Sequence, residues 1–97
     1  MTDAVVTDNQ AESRLEIHAD GLVAELIYRL RAARFVIIHT GVPEALSGHG
    51  LGGQLVQAAL AKAARDGLTV VPLCPYARGW LERHPEQAAK VRIDWTT

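Results

Sequence analysis

The sequence predicts an α+β fold, a mostly antiparallel sheet of about five strands carrying one long and one short helix. Three observations predict it. Residues 14–40 alternate or run apolar with β-branched side chains, broken by two short polar connections. Residues 51–63 then repeat apolar side chains at helical spacing. A second β-branched run at residues 69–73 is followed by a proline-led helical segment.

Residues 1–12 are polar, with Asp3, Asp8 and Glu12, and read as a short flexible N-terminal tail. Residues 13–97 then form a single domain, as the length of 97 residues suggests. Leu15 and Ile17 alternate with Glu16 and His18, the period of a half-buried strand. Asp20-Gly21 follows, and both residue types tolerate the positive φ of a tight hairpin. The next strand puts Leu22, Ala24, Leu26, Tyr28 and Leu30 on one face. Arg31-Ala32-Ala33-Arg34 makes the second connection. Residues 35–40 are nearly all apolar and read as a central strand buried on both faces.

Gly41 begins a loop containing Pro43 and Gly48. The helix that follows buries Leu51, Leu55, Val56, Ala59, Leu60 and Ala63, with Gln54, Gln57, Lys62 and Arg65 mostly off that face. Asp66-Gly67 stops it, Gly67 serving as a left-handed cap. Pro72 removes one ladder donor and belongs at an edge, a bulge or a point where pairing ends. Pro75 starts the short helix, which ends at His84-Pro85. Residues 91–95 are a candidate last strand.

Composition excludes several classes. The net charge of −1 gives no basic footprint for nucleic acid or an anionic membrane. No apolar run approaches the roughly 20 residues of a membrane helix. The N-terminal residues lack the basic and apolar regions of a secretory signal. Cys74 is the single cysteine, so no intrachain disulfide forms, and a cytoplasmic location is expected. No His, Cys, Asp or Glu cluster has metal-ligand spacing.

The chemical signal is Gly48-His49-Gly50-Leu51-Gly52-Gly53, which opens the long helix. Glycines let backbone approach a ligand closely, and the free amides of a helix N-terminus favour an anion. Two competitors lack support. A Walker loop needs a Gly-Lys-Ser/Thr end, whereas this loop ends Gly52-Gly53-Gln54. A dinucleotide fingerprint needs a βαβ unit and an acid ending its second strand. A flexible turn with a tight helix start is the structural alternative.

Two motifs resemble a known family. Thr40-Gly41-Val42-Pro43-Glu44, then Leu46-Ser47-Gly48-His49-Gly50-Leu51-Gly52, is similar to the coenzyme A signature of GNAT acetyltransferases. Gly50 and Gly52 match its two small positions, and Ser47 stands where Gln or Arg is usual. Val71-Pro72-Leu73-Cys74-Pro75-Tyr76, followed by His84-Pro85-Glu86, resembles the small GNAT-like subfamily with a Pro-x-Cys-Pro-Tyr/Phe motif. In that subfamily an acidic residue is common where Gly41 stands here. The resemblance implies a shortened GNAT fold with coenzyme A in a cleft where two strands splay. It implies acetyl transfer from acetyl-CoA to an amine of a small molecule or protein. Val42, Ser47, Gly48, His49, Gly50, Leu51, Gly52 and Gly53 are then the cofactor-binding residues.

Three side chains are the candidates for chemistry. Cys74 would face the thioester as nucleophile, acyl acceptor or acid, or else serve as a small buried hydrophobe. Tyr76 would be the general acid for the departing thiolate, a role the resemblance implies, or else a ring packing the helix start. His39 is a candidate base in an apolar strand, where a structural histidine is the alternative. Arg78, Arg83 and His84 would meet coenzyme A phosphates or cap the short helix. Trp80 and Trp95 read as packing. The leading function is an acyl-CoA-dependent N-acetyltransferase. The alternatives are a non-catalytic coenzyme A-binding or regulatory module and an interaction domain whose long helix is only a core helix.

Overall fold

The structure is a computed structural model that describes residues 5–96. Its sheet runs β1 (Thr7–Asn9), β2 (Arg14–Ala19), β3 (Leu22–Arg31), β4 (Arg34–Gly41) and β5 (Thr69–Pro72), in that spatial order. The first four strands pair antiparallel, and β5 pairs parallel with β4. A parallel joint needs a crossover, and α1 (Leu51–Asp66) provides it. α2 (Pro75–Arg83) and α3 (Pro85–Ala88) follow, so the α+β expectation is met with a five-stranded, mostly antiparallel sheet.

The turns are where their residue types put them. Asp20 and Gly21 take φ of 53° and 74° between the paired Ala19 and Leu22, a two-residue hairpin. Ala32 takes φ of 50° in the second hairpin, between Arg31 and Arg34. Gly67 closes α1 in the left-handed conformation, with φ of 67°. Its N–H and that of Leu68 satisfy the last carbonyls, those of Ala63 and Ala64.

One core joins sheet and helices. Leu15, Ile17, Ala24, Leu26, Tyr28, Phe35, Ile37 and Val70 supply the sheet side. Leu55, Val56, Ala59, Leu60 and Ala63 of α1 pack on it with Ala77, Trp80 and Leu81 of α2. Each fully buried Leu, Val or Phe contributes on the order of 1.5–3 kcal/mol. Phe35 of β4 also stacks on Tyr28 of β3, with ring centroids 4.6 Å apart.

Four details differ from the sequence expectation. The tail expected over residues 1–12 is already structured at β1, which pairs Asp8 with Leu15 (residues 1–4 lie outside the described residues). Its anchor is polar and therefore invisible to an apolar-pattern search. The Asp8 carboxylate accepts from Tyr28 Oη at 2.6 Å and from Lys62 Nζ at 2.8 Å. Lys62 is for that reason buried, at 7% exposure, and not on the solvent side of α1. Thirdly, β4 is not buried on both faces. Phe35 and Ile37 are sealed while Val36 and Ile38 are half-buried, because α1 and α2 build their core on the Phe35 side. Finally, residues 91–95 make no strand, only a bridge between Ile93 and Val70. Pro72 stands at the last β4–β5 pair, where pairing stops.

Candidate active site

β4 and β5 stay paired from Arg34 opposite Thr69 to Ile37 opposite Pro72. Proline then has no N–H to extend the ladder. The Ile37 carbonyl instead accepts from both Leu73 N, at 3.1 Å, and Cys74 N, at 3.0 Å. The chain turns at Cys74 into α2, with Pro75 in its first turn, while β4 continues to Gly41. The two strands therefore part at their carboxyl ends, the place where ligands enter sheets with parallel joints.

A cleft of about 260 Å³ opens in this gap. Thr40 and Val42 line it from the end of β4 and the chain beyond. Leu46, Ser47 and Gly48 line it from the loop, Gly50, Leu51 and Gly52 from the start of α1, and Tyr76 from α2. None of these side chains carries a formal charge at neutral pH. Any attraction for an anion would come from the backbone at the start of α1. Gly50 sits at the N-cap with φ of 72°, a conformation that strains any residue with a Cβ. No side chain caps the helix there, and no acid stands in its first turn. The Gln54 amide reaches the Gly50 carbonyl, leaving those of Leu51, Gly52 and Gly53 ahead of the helical ladder. Those amides and a dipole worth roughly half a charge favour an anion there. Arg65 in the last turn complements the other end.

Gly52 is also a packing requirement. A Cβ there would lie 2.6 Å from the Tyr76 hydroxyl, so the phenol rests on bare backbone and walls the cleft. Gly53 plays the same part toward α2, since a Cβ would lie 2.7 Å from Trp80 Nε1. Its side-chain position is therefore given to helix packing, and only its amide belongs to the first turn. His49 is exposed in the loop and is not among the residues lining the cleft.

The three chemical candidates are placed differently. Tyr76 is 43% exposed and borders the cleft. Cys74 is buried, and its Sγ donates to Thr40 Oγ1 at 3.6 Å, joining the parted ends of β4 and β5. His39 is exposed and precedes Thr40, so the pleat turns it to the other face of β4. The cleft thus brings together Tyr76 and the glycine loop, with Cys74 behind Thr40 and His39 across the strand. Sequence reading passed over Thr40 and Leu46 as cleft residues. Alternation from Phe35 and Ile37 would have put His39 on the core face; the bulge at Ile38, which has no partner between the Tyr28–Ile37 and Ile27–His39 pairs, reverses the phase and turns Thr40 to the cleft.

Other sites are less suited to chemistry. A larger groove of about 590 Å³ lies between α2, α3 and the C-terminal segment, edged by Leu81, Pro85, Val91 and Trp95. Arg78 stands 5.5 Å from the Trp95 ring on its rim. His84 stacks on Trp80 at 4.0 Å, and its Nδ1 lies 2.7 Å from the Trp80 carbonyl, an arrangement that closes α2. Among the described residues no group of three or more His, Cys, Asp or Glu is placed to hold a metal ion. Nor is any helix there long and apolar enough to cross a membrane.

Comparison with known proteins agrees with this geometry. No curated protein matches the sequence. The fold is similar to the solution structure of a GCN5-like protein from Staphylococcus aureus, with 25% identity and a TM-score of 0.72. That likeness covers 99% of this chain and 96% of the other. Residues 14–91 match the GCN5-related N-acetyl-transferase family. With most of its length in that match and a cleft at the parted ends of β4 and β5, the chain belongs to the GCN5-related N-acetyltransferase family.

Proposed function

We propose that the protein is an acetyl-CoA-dependent N-acetyltransferase of the small subfamily whose motif reads here Pro72-Leu73-Cys74-Pro75-Tyr76. The observation that carries the proposal is the uncapped start of α1, opening into the cleft between β4 and β5. The residues fit the group the family uses. The amides of Leu51, Gly52 and Gly53 suit a pyrophosphate, with Ser47, Gly48 and His49 at the rim. Beyond Ile37 the β4 edge has no β5 partner, so its backbone groups suit an amide-bearing arm running past Thr40 and Val42.

Acetyl-CoA would supply an activated acyl thioester. The chain then has little left to do beyond positioning and proton transfer. Tyr76, half exposed at the cleft wall, would give a proton to the departing thiolate. The Cys74–Thr40 contact holds the floor where the strands part. The acceptor is an amine of a small molecule or protein, and a cytoplasmic location accords with the single free thiol.

Calorimetry with acetyl-CoA, followed by thiol release across an amine panel, tests the proposal. Saturable binding with amine-dependent release is expected. Binding without release for any amine would favour a non-catalytic coenzyme A-binding module, for which the absence of charged side chains lining the cleft speaks. No binding at high micromolar ligand would contradict both.

A further inference from the structure

We infer that the sheet edge beyond β5, residues 91–95, pairs with the same edge of a second copy of the chain and joins two sheets into one. This edge lines no part of the cleft, so the pairing stands apart from acetyl transfer.

The backbone of the edge is only half used. Val70 N donates to the Arg92 carbonyl at 2.8 Å, and Asp94 N donates to the Val70 carbonyl at 2.9 Å. Successive residues of an extended chain direct their polar groups to opposite edges, so Ile93 directs its N–H and C=O away from β5. Neither forms a hydrogen bond among the described residues. The flanking positions are used in a complementary way. Val91 N donates to the Ala88 carbonyl, and the Trp95 carbonyl accepts from Arg78. The Val91 carbonyl and the Trp95 N–H have no partner among the described residues. Two such edges laid antiparallel about a two-fold axis at Ile93 match these groups. Each Ile93 gives one bond to the other Ile93 and takes one from it. Each Trp95 N–H meets the Val91 carbonyl of the second copy. The remaining two groups of that ladder, Val91 N and Trp95 O, are already satisfied within the chain.

The same register sets Arg92 opposite Asp94 of the second copy, and Asp94 opposite its Arg92. Arg92 is exposed and forms no ion pair among the described residues. Asp94 is held by Arg34 at 2.7 Å and by Thr96, yet its side chain stays 19% exposed, and a carboxylate accepts several bonds. Opposite charges directly across a ladder are favourable, so the segment is its own charge complement. On the other face Trp95, 38% exposed, falls against Val91 of the second copy, at the edge of the groove of about 590 Å³. A large aromatic side chain against an apolar wall is the usual anchor of an interface. One short segment from each copy buries little area, so the dimer is weak and concentration-dependent.

Analytical ultracentrifugation of the full chain from about 10 µM to about 1 mM tests the pairing, and a monomer–dimer equilibrium is expected. In the concentrated sample the Ile93 and Trp95 amide protons should exchange with solvent severalfold more slowly than in the dilute one. Arg92→Glu sets two acids opposite each other and is expected to weaken the dimer about tenfold. Arg29→Glu, the same charge change on β3, should leave it within about twofold. Ile93→Pro removes one donor from each copy without touching either bond to Val70, and is expected to abolish the dimer. Unchanged amide spectra outside residues 91–95 show that each variant is folded, and the exchange comparison on the wild-type chain decides without any variant. A chain that stays monomeric at about 1 mM, a dimer that Arg92→Glu leaves intact, or a dimer in which the Ile93 amide exchanges freely would overturn the inference.

Discussion

The two ends of α1 are built for opposite purposes. The C-terminal half is fastened. Lys62 is buried against Asp8, which also takes the Tyr28 hydroxyl, so three elements meet in one polar knot. The N-terminal end is bare. It has three glycines within four residues, no side-chain cap and no acid in its first turn. Ordinary helix design would cap that end, as a cap is worth on the order of 1 kcal/mol. Open amides there are left to water or to a ligand. The contrast recommends the bare end, rather than the fastened one, as the candidate site. Among the described residues no buried side-chain polar atom lacks a hydrogen-bond partner.

The comparison can be broken at the fastened end first. Lys62→Ala strands a partly buried carboxylate, and a loss of about 3 kcal/mol of stability is expected. Urea unfolding measures it, and acetyl-CoA affinity should not change under native conditions. A parallel fall in affinity would mean the two ends are not separable.

Gly52→Ala comes next and acts at the bare end. The added methyl must push Tyr76 aside, at a cost of about 1–3 kcal/mol. Here affinity should fall at least tenfold, about 1.4 kcal/mol, because the ring moves into the cleft. Gly50→Ala is a smaller version. It forces a Cβ onto φ of 72°, at about 1 kcal/mol, and calorimetry should show a matching loss of acetyl-CoA affinity.

The knot and the Glu16 network should also differ from the cleft in their response to pH. Burial raises the Asp8 carboxyl, but bonds from Lys62 and Tyr28 outweigh it and hold its pKa below the usual 3.8. Glu16 is held at about 2 by His18 and then Arg14, against 4.5 ordinarily. Both pKa values are depressed, so the stability they bring is present above the unfolded values and fades as pH falls through the folded ones. Acid titration by circular dichroism should show this loss beginning below 4.5 and continuing toward 2. At the alkaline side, burial and the Asp8 carboxylate push the Tyr28 phenol above its ordinary 10.0. Its contribution is complete below that pH and is lost as pH rises beyond it. Asp8→Asn should blunt both effects, and unchanged titration curves would remove the knot from the account.

The smallest effect is expected at Cys74. Cys74→Ala removes a buried thiol and one long bond to Thr40, and should cost about 1 kcal/mol of stability. Unchanged turnover would show Cys74 to be packing, whereas loss of turnover with intact binding would make it chemical.

Much of the fold was legible because its signals are local. Asp20-Gly21, the helical period after Leu51 and the stop at Gly67 each follow from one short stretch. The strand at Thr7–Asn9 was not, because it is held by Lys62 and Tyr28 from 54 and 20 residues away. The half-open faces of β4 were missed for a related reason. An apolar run shows that a strand is buried, not how many layers cover it. At the site, the glycine loop declared itself through residue types that admit φ of 72° and close contact. Thr40 did not, since its position depends on the bulged register of β3 with β4 and on where β4 and β5 part.

We propose that the bare start of α1 binds the coenzyme. Backbone amide NMR during titration with acetyl-CoA tests it most directly. Saturable shifts are expected, largest at Leu51, Gly52 and Gly53, with the Lys62 end of the helix unmoved. Absence of shifts at those three amides with ligand at high micromolar concentration, or shifts centred on the groove beside Trp95, would contradict it.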